Sequence, residues 1–294
     1  MTNNSVSSSA NKSSSKKKSG GKIFLRRFCA VIIIILIFWW FNNFTIKMNK
    51  VNVSSDKIKS SVRIAVISDL HATKVGISNK KIVNKIKKAD PDMVMMLGDM
   101  YTSGSDSEIM QIPVNLTGEI IGEGYPVYLV TGEHDTDRSF VKAVTEVGAK
   151  VLNYDSTEIE INGNKIRIYG IDNVHYSSTF DLSNEFQLDD SYYNILLAHI
   201  PNYKKFAQFG ADLTICADTH GGIIQMPFDK GPVYYSETRM FLPEIFHKEI
   251  PVYDKGLFKY EGGAMFVTSG IGSYPIAARI NNRPEIAIID VVAE

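Results

Sequence analysis

From residue 62 onward, short, mainly apolar runs alternate with stretches whose apolar positions recur every three or four residues. Runs at 62–68, 93–97 and 127–130 predict buried strands, because a strand covered on both faces shows no polar alternation. Residues 78–88 place Ile82, Val83 and Ile86 at helical spacing and stop at Asp90-Pro91. Residues 109–121 predict a helix whose early part Pro113 breaks, and 140–147 predict another. This order of strand and helix is that of a layered α/β domain. After Val151 the pattern changes. Residues 159–161 and 165–169 alternate around Asn162-Gly163-Asn164, a hairpin signal. Residues 193–198, 213–217, 264–268 and 286–291 are further apolar strands. With no internal repeat and no linker after about residue 60, residues 61–294 count as one domain.

The N-terminal part follows a different rule. Residues 1–27 are mainly Ser, Asn, Lys and Gly and predict a disordered basic tail, since they cannot bury apolar surface. Arg26-Arg27 then precede an apolar run at 28–41 that ends near Trp39-Trp40. The run is shorter than the roughly 20 residues a bilayer core needs, and extends to about residue 46 if Asn42 and Asn43 lie at the interface. No small-x-small cleavage site follows, which favours a transmembrane signal anchor at 28–46 over a cleaved peptide. Basic residues before the run keep the N-terminus cytoplasmic, making this a single-pass cell-membrane protein with an extracytoplasmic domain. Residues 47–60 are expected to be a polar stalk.

The zero net charge hides an asymmetry. Residues 1–50 carry nine of the 32 Lys and Arg and none of the Asp or Glu, so the rest holds 23 basic against 32 acidic side chains. A net of −9 with no basic stripe argues against nucleic acid as a partner. The hydrophobic share of 44% suits a sizeable core. Two cysteines, Cys29 and Cys216, lie inside apolar runs and form no disulfide framework or zinc knuckle.

The candidate chemistry sits just past strand ends: Asp69-Leu70-His71, Gly98-Asp99, Gly132-Glu133-His134-Asp135, Ala198-His199 and Asp218-Thr219-His220-Gly221-Gly222. Loops leaving parallel strands converge on one sheet edge, where ligand groups gather. Of six histidines, four (His71, His134, His199, His220) fall in these loops, interleaved with Asp.

In this order, the set resembles the calcineurin-like metallophosphoesterase superfamily, whose motifs run D-x-H, G-D, G-N-H-[DE], H and G-H-x-H. His199-Ile200-Pro201, the 217–222 segment, Gly270-Ile271-Gly272 and Arg283-Pro284-Glu285 resemble its membrane-anchored bacterial branch. The resemblance implies a four-layer αββα sandwich and hydrolysis of a phosphomonoester or phosphodiester by metal-bound hydroxide at a dinuclear centre. It also implies that Asp69, His71 and His220 hold one metal, that Asp99 bridges, and that Glu133, His199 and Asp218 complete the second. His134 corresponds to the family's near-metal histidine, placed to stabilise or protonate the leaving oxygen, with Asp135 orienting its imidazole.

Two positions depart from the pattern: Glu133 stands for Asn and Asp218 for the first His of G-H-x-H. Decay of the second site would leave a catalytically silent metal- or ligand-binding module. Retuning is the favoured reading, because both replacements remain metal donors. Extra carboxylates harden the site toward Mn or Fe, with Mg and Zn also admitted. Arg138 and His175 are weaker candidates for contact with substrate. Residues 240–246 read as a packing stretch, with lipid or substrate contact as the alternative. Tethering makes phospholipids, lipid-linked sugars and nucleotide-sugar diphosphates the plausible substrates; oligomeric state is left open.

Overall fold

The computed structural model describes residues 13–172, 181–274 and 278–294; His175 lies outside them. The chain divides into two compact units after Phe41.

The first unit is carried by helix α1 (Ser13–Phe44). Its 24 residues Gly21–Phe44 are long and apolar enough to cross a membrane. At 1.5 Å per residue they reach about 36 Å, more than a bilayer core needs. The helix is already formed at Ser13, within the stretch expected to be disordered. Lysines are good helix formers and continue it from the apolar run.

In the second unit, two six-stranded sheets lie face to face. The first has strands β1 (Lys47–Ser55), β2 (Val62–Ile67), β3 (Met93–Met96), β4 (Val127–Leu129) and β5 (Lys150–Val151). The second has β6 (Asp155–Ile161), β7 (Asn164–Ile171), β8 (Tyr193–Ala198), β9 (Leu213–Cys216), β12 (Gly256–Tyr260) and β13 (Gly263–Val267). A short hairpin, β10 (Tyr234–Tyr235) and β11 (Met240–Phe241), stands apart, and β14 (Glu285–Ala293) returns to the first sheet. The orders are β1-β14-β2-β3-β4-β5 and β12-β13-β9-β8-β7-β6. Strands β2 to β5 run parallel, as do β7, β8, β9 and β13.

Strand parity explains why the sequence shows continuous apolar runs. In β2, Ile64 and Val66 face the core between the sheets, against Ile166, Ile195 and Leu213. Ala65 and Ile67 face the opposite way, toward α2 (Asn79–Ala89), α3 (Ser107–Gly122) and α4 (Arg138–Glu146). The second sheet's outer face is covered by α5 (Tyr203–Phe209) through Phe206 and Phe209. The layers are therefore helix, sheet, sheet, helix. Both faces of each central strand are buried, so no polar alternation survives.

Three expectations change. Residues 47–60 are not a stalk: β1 pairs in parallel with β14 over its whole length, from Lys47↔Glu285 to Ser55↔Ala293. Met48 packs on the helix side while Val51 and Val53 pack between the sheets, a period-two pattern diluted by Asn and Lys. Lysines suit an exposed edge strand. Pro113 does not break α3, which starts at the Asp106 cap and packs Val114, Leu116 and Ile120 beneath the sheet. That packing outweighs one lost backbone donor. In the 240–246 stretch, a last short helix α6 (Pro243–Phe246) follows β11, and Phe241 and Phe246 are 68% and 67% exposed. Their side chains do not pack inward. The Asn162-Gly163 turn has both residues at positive φ, as a two-residue hairpin loop of this twist requires.

Candidate metal centre

The five motifs leave the C-terminal ends of β2, β3, β4, β8 and β9, so their side chains meet at one edge of the two sheets. The chain turns there through left-handed backbone. Asp69, His71, Asp99, Asp218 and His220 all have positive φ, between 39° and 68°. Asp tolerates this region better than most residues, and such strain concentrates at functional sites.

Glycines make the convergence sterically feasible. A Cβ on Gly98 would strike the backbone of Gly132, and one on Gly132 would strike the Asp99 carboxylate. Gly270, at φ 66°, lies against the carboxylate of Asp69 in the same way.

Three overlapping groups of donor atoms result, each within 4.8 Å: Asp69, His71 and His220; Asp69, Asp99 and His199; His71, Asp99 and His134. Second partners orient the donors. The Leu97 carbonyl lies 2.6 Å from His199 Nδ1, so Nδ1 carries a proton and Nε2 points into the cluster. Thr102 Oγ1 holds His71 Nδ1 at 3.0 Å, again leaving Nε2 inward. The backbone N–H of Ser103 donates to His134 Nδ1 at 3.2 Å, which assigns the proton of a neutral imidazole to Nε2. Asp69 Oδ2 accepts from Ser68 Oγ at 2.6 Å, and Asp99 Oδ1 accepts from the backbone N–H of His134 at 2.9 Å.

The inward atoms make no hydrogen bond to the protein. Asp69 Oδ1, His71 Nε2, His199 Nε2 and His220 Nδ1 are buried without a hydrogen bond. Four orphaned donor atoms in one small volume would be costly unless something else satisfies them.

The electrostatics agree. Burial, with repulsion from Asp99, pushes Asp69 up to about 7. Burial likewise pushes Asp135 and Asp218 up to about 6. Burial would also raise Asp99, but nearby His199 and the His134 N–H hold it near 2. Burial would lower His199, yet Asp99, Asp69 and Asp218 together raise it well above its ordinary value. His71 is lowered to about 4 and His220 well below its usual range, chiefly by burial. Crowded, desolvated carboxylates beside neutral imidazoles fit a cation. The donor set therefore suits a metal.

Not every expected residue joins. Glu133 is 51% exposed at its side chain, and its Oε1 is 3.9 Å from His134 Nε2. Asp218 Oδ1 lies 3.7 Å from His199 Nε2 and remains partly exposed. Neither belongs to a three-donor cluster among the described residues. Asp135 does not orient the imidazole of His134. Its two oxygens accept from the backbone N–H groups of Gly132 (2.6 Å) and Met100 (2.8 Å), which ties the second and third motif loops together. Arg138 lies at the start of α4, where Asp137 caps the helix.

Two contributors carried no motif. Arg279 is fully buried and donates to Ser269 O at 2.6 Å and, through Nε, to Gly272 O at 2.9 Å, bracing the loop behind Asp69. Burial lowers it to about 10, which still leaves it charged at neutral pH. Tyr274 stacks on His71 at 4.9 Å and meets His134 edge-on at 4.6 Å. Only its nearness in sequence to Gly270-Ile271-Gly272 hinted at that position.

The sequence profile of the family described as calcineurin-like phosphoesterase matches residues 62–222. The uncharacterized protein YpbG of Bacillus subtilis is 25% identical over 83% of this chain and 86% of its own length. From the same organism, the uncharacterized metallophosphoesterase YkoQ is 22% identical over 83% of this chain and 90% of its own. Among solved structures, Haemophilus influenzae NAD nucleotidase aligns with a TM-score of 0.43 and 18% identity, over 71% of this chain and 44% of its own.

Proposed function

Because this chain belongs to the calcineurin-like phosphoesterase family, and is by that membership a phosphoester hydrolase, we propose that it works through two metal ions held by the cluster at the strand ends. The observation that carries the reading is the set of orphaned donors on Asp69, His71, His199 and His220 around the Asp99 carboxylate. In this assignment Asp69, His71 and His220 hold one ion, and Asp99 is shared. His199 would serve the other, with the partly exposed Asp218 and, farther out, Glu133 as the carboxylates available to complete it. Bound there, two cations neutralise phosphate oxygens and make water a nucleophile at neutral pH.

The protein's own groups do the rest. His134 presents Nε2–H toward the cluster because its Nδ1 accepts from the backbone N–H of Ser103, so it can stabilise charge on a leaving oxygen by a hydrogen bond from Nε2–H. Asp135 fixes the spacing of the Asp99 and His134 loops through its two backbone contacts. The surplus of carboxylates favours Mn or Fe over Zn. The apolar helix would act as a membrane anchor. With Arg26-Arg27 before it, the N-terminus stays inside and the domain acts on envelope phosphoesters at the outer face.

The test uses full-length protein in nanodiscs, stripped of metal and reloaded with Mn, Fe, Mg or Zn. Aryl phosphomonoester and phosphodiester hydrolysis is measured for wild type, Asp99→Asn and His134→Ala. The expected result is metal-dependent turnover that both substitutions abolish. The half-exposed Glu133 favours a second reading, a catalytically silent metal-binding module. Stoichiometric metal without turnover in folded protein would support that one.

A further inference from the structure

A cavity of about 130 Å³ meets the metal cluster at one residue. His71 belongs to both. The other walls include Phe44, Val75, Ile77, Ile112 and Ile271, and no Lys, Arg, Asp or Glu is among the described lining residues. A pocket shaped for the polar remainder of a sugar or nucleotide phosphate would present charged or amide groups at several points. Here the polar side chains besides His71 are Asn43, Thr73 and Ser273, the remaining walls are mainly hydrocarbon, and Val75 among them is 83% exposed.

Phe44 is also the last residue of the apolar helix. Hydrogen bonds hold this end of the chain. Asn43 Oδ1 accepts from the backbone N–H of Arg279 at 2.8 Å, and Asn43 Nδ2 donates to the Arg279 carbonyl at 3.1 Å. Arg283 Nε donates to Thr45 Oγ1 at 2.9 Å. Arg279 is the residue that braces the loop behind Asp69. Within the second unit, residues 43–45 thus line the cavity or are tied by hydrogen bonds to Arg279 and Arg283.

We infer that the cavity beside His71 takes the first carbons of an apolar chain whose phosphate lies at the metal cluster, making lipid-linked phosphoesters the substrate class. The inference rests on the hydrolase reading. An apolar cavity of roughly 150 Å³ can hold a benzene-sized group. The site therefore covers the few carbons nearest the phosphate, and the rest of the chain leaves past Val75. Each methylene buried there is worth about fourfold in affinity.

The probes are inorganic phosphate and ethyl, butyl and hexyl phosphate. They are titrated by calorimetry into Mn-loaded full-length protein in nanodiscs, with empty nanodiscs subtracted. Butyl phosphate is expected to bind about 16-fold tighter than ethyl phosphate, two methylenes at fourfold each. Hexyl phosphate should bind at least as tightly as butyl. Val75→Asp should remove the dependence on chain length. Val147→Asp, at another exposed valine that follows α4, should keep it. Equal affinities for ethyl and hexyl phosphate would overturn the inference and leave the hydrolase reading standing. Failure of every phosphate, including the inorganic ion, to bind the Mn-loaded protein would overturn both.

Discussion

Asp99 is the residue on which the two halves of the site depend. Its Oδ2 lies 3.4 Å from His199 Nε2 and 3.7 Å from His71 Nε2, and its Oδ1 is fixed by the His134 N–H. Asp99→Asn keeps the shape and removes the charge, so bound metal should fall from two ions toward one. Turnover should drop roughly 10³-fold or more, as loss of several kcal/mol of charge stabilisation implies. Elemental analysis beside kinetics checks both effects; unchanged metal content would contradict the shared-ligand role. Gly132→Ala tests the same point sterically. Its Cβ would occupy the space of the Asp99 carboxylate, so metal affinity should fall at least about tenfold while far-UV dichroism stays native. The two departures from the family pattern have their own test. Glu133→Asn with Asp218→His replaces two hard carboxylates by an amide and an imidazole, and should move metal preference toward Zn. An unchanged order of metal affinities would show that neither residue tunes the site. The residue types at the strand ends were legible in the sequence because each follows an apolar run. Asp135 was misassigned because spacing shows adjacency to His134 and not the two backbone donors that claim its oxygens. Arg279 was invisible, since a loop arginine is ordinarily solvated and only folding reveals the carbonyls around it.

At the scale of elements, the central strands could be read directly because both faces are apolar, but β1 could not. It is an edge strand whose two faces are each only partly covered, and its Lys and Asn residues resemble a solvated tether. The structural consequence is concrete. A chain beginning near Ser55 loses Ile46, Met48, Val51 and Val53 from the two cores and leaves the β14 edge unpaired. At about 1.5–3 kcal/mol for each fully buried large side chain, and less for those half buried, the loss is on the order of 5 kcal/mol, comparable to the whole stability of a modest domain. Such a truncation should aggregate or melt at least about 10 °C lower than one beginning at Asn42. Differential scanning calorimetry of the two purified domains decides this. Matching melting temperatures would mean that β1 is dispensable, as a stalk would be. Pro113 teaches a related lesson: its local penalty is real, yet the burial of Val114, Leu116 and Ile120 on the same helix prevails.

For the whole molecule, the metal site couples charge to stability. In the metal-free fold, Asp69 is raised to about 7 and His199 well above its ordinary value. In the unfolded chain the same groups release their protons near pH 4 and 6.5. Asp69 therefore loses stability as pH rises from about 4 to about 7, and His199 as it rises above about 6.5. Above about pH 6.5 the folded state holds the extra proton, and its stability falls. His71 and His220 are lowered, so the stability they contribute is gained as pH rises toward 6.5 and is already complete there. Asp99, held near 2, gains its contribution as pH rises from about 2 to about 4, so it is fully present above about pH 6.5 and adds no slope there. A bound cation replaces the protons on the raised groups and removes the decline. It also stabilises the fold by mass action, by about 2.7 kcal/mol at a free concentration 100 times Kd. Thermal unfolding followed by near-UV dichroism, with chelator or with Mn, measures both effects. The melting temperature should fall between pH 6.5 and 8 in chelator and stay level or rise with Mn, so the gap between the curves widens with pH. Parallel curves would mean that the orphaned carboxylate and imidazoles are not where the metal binds.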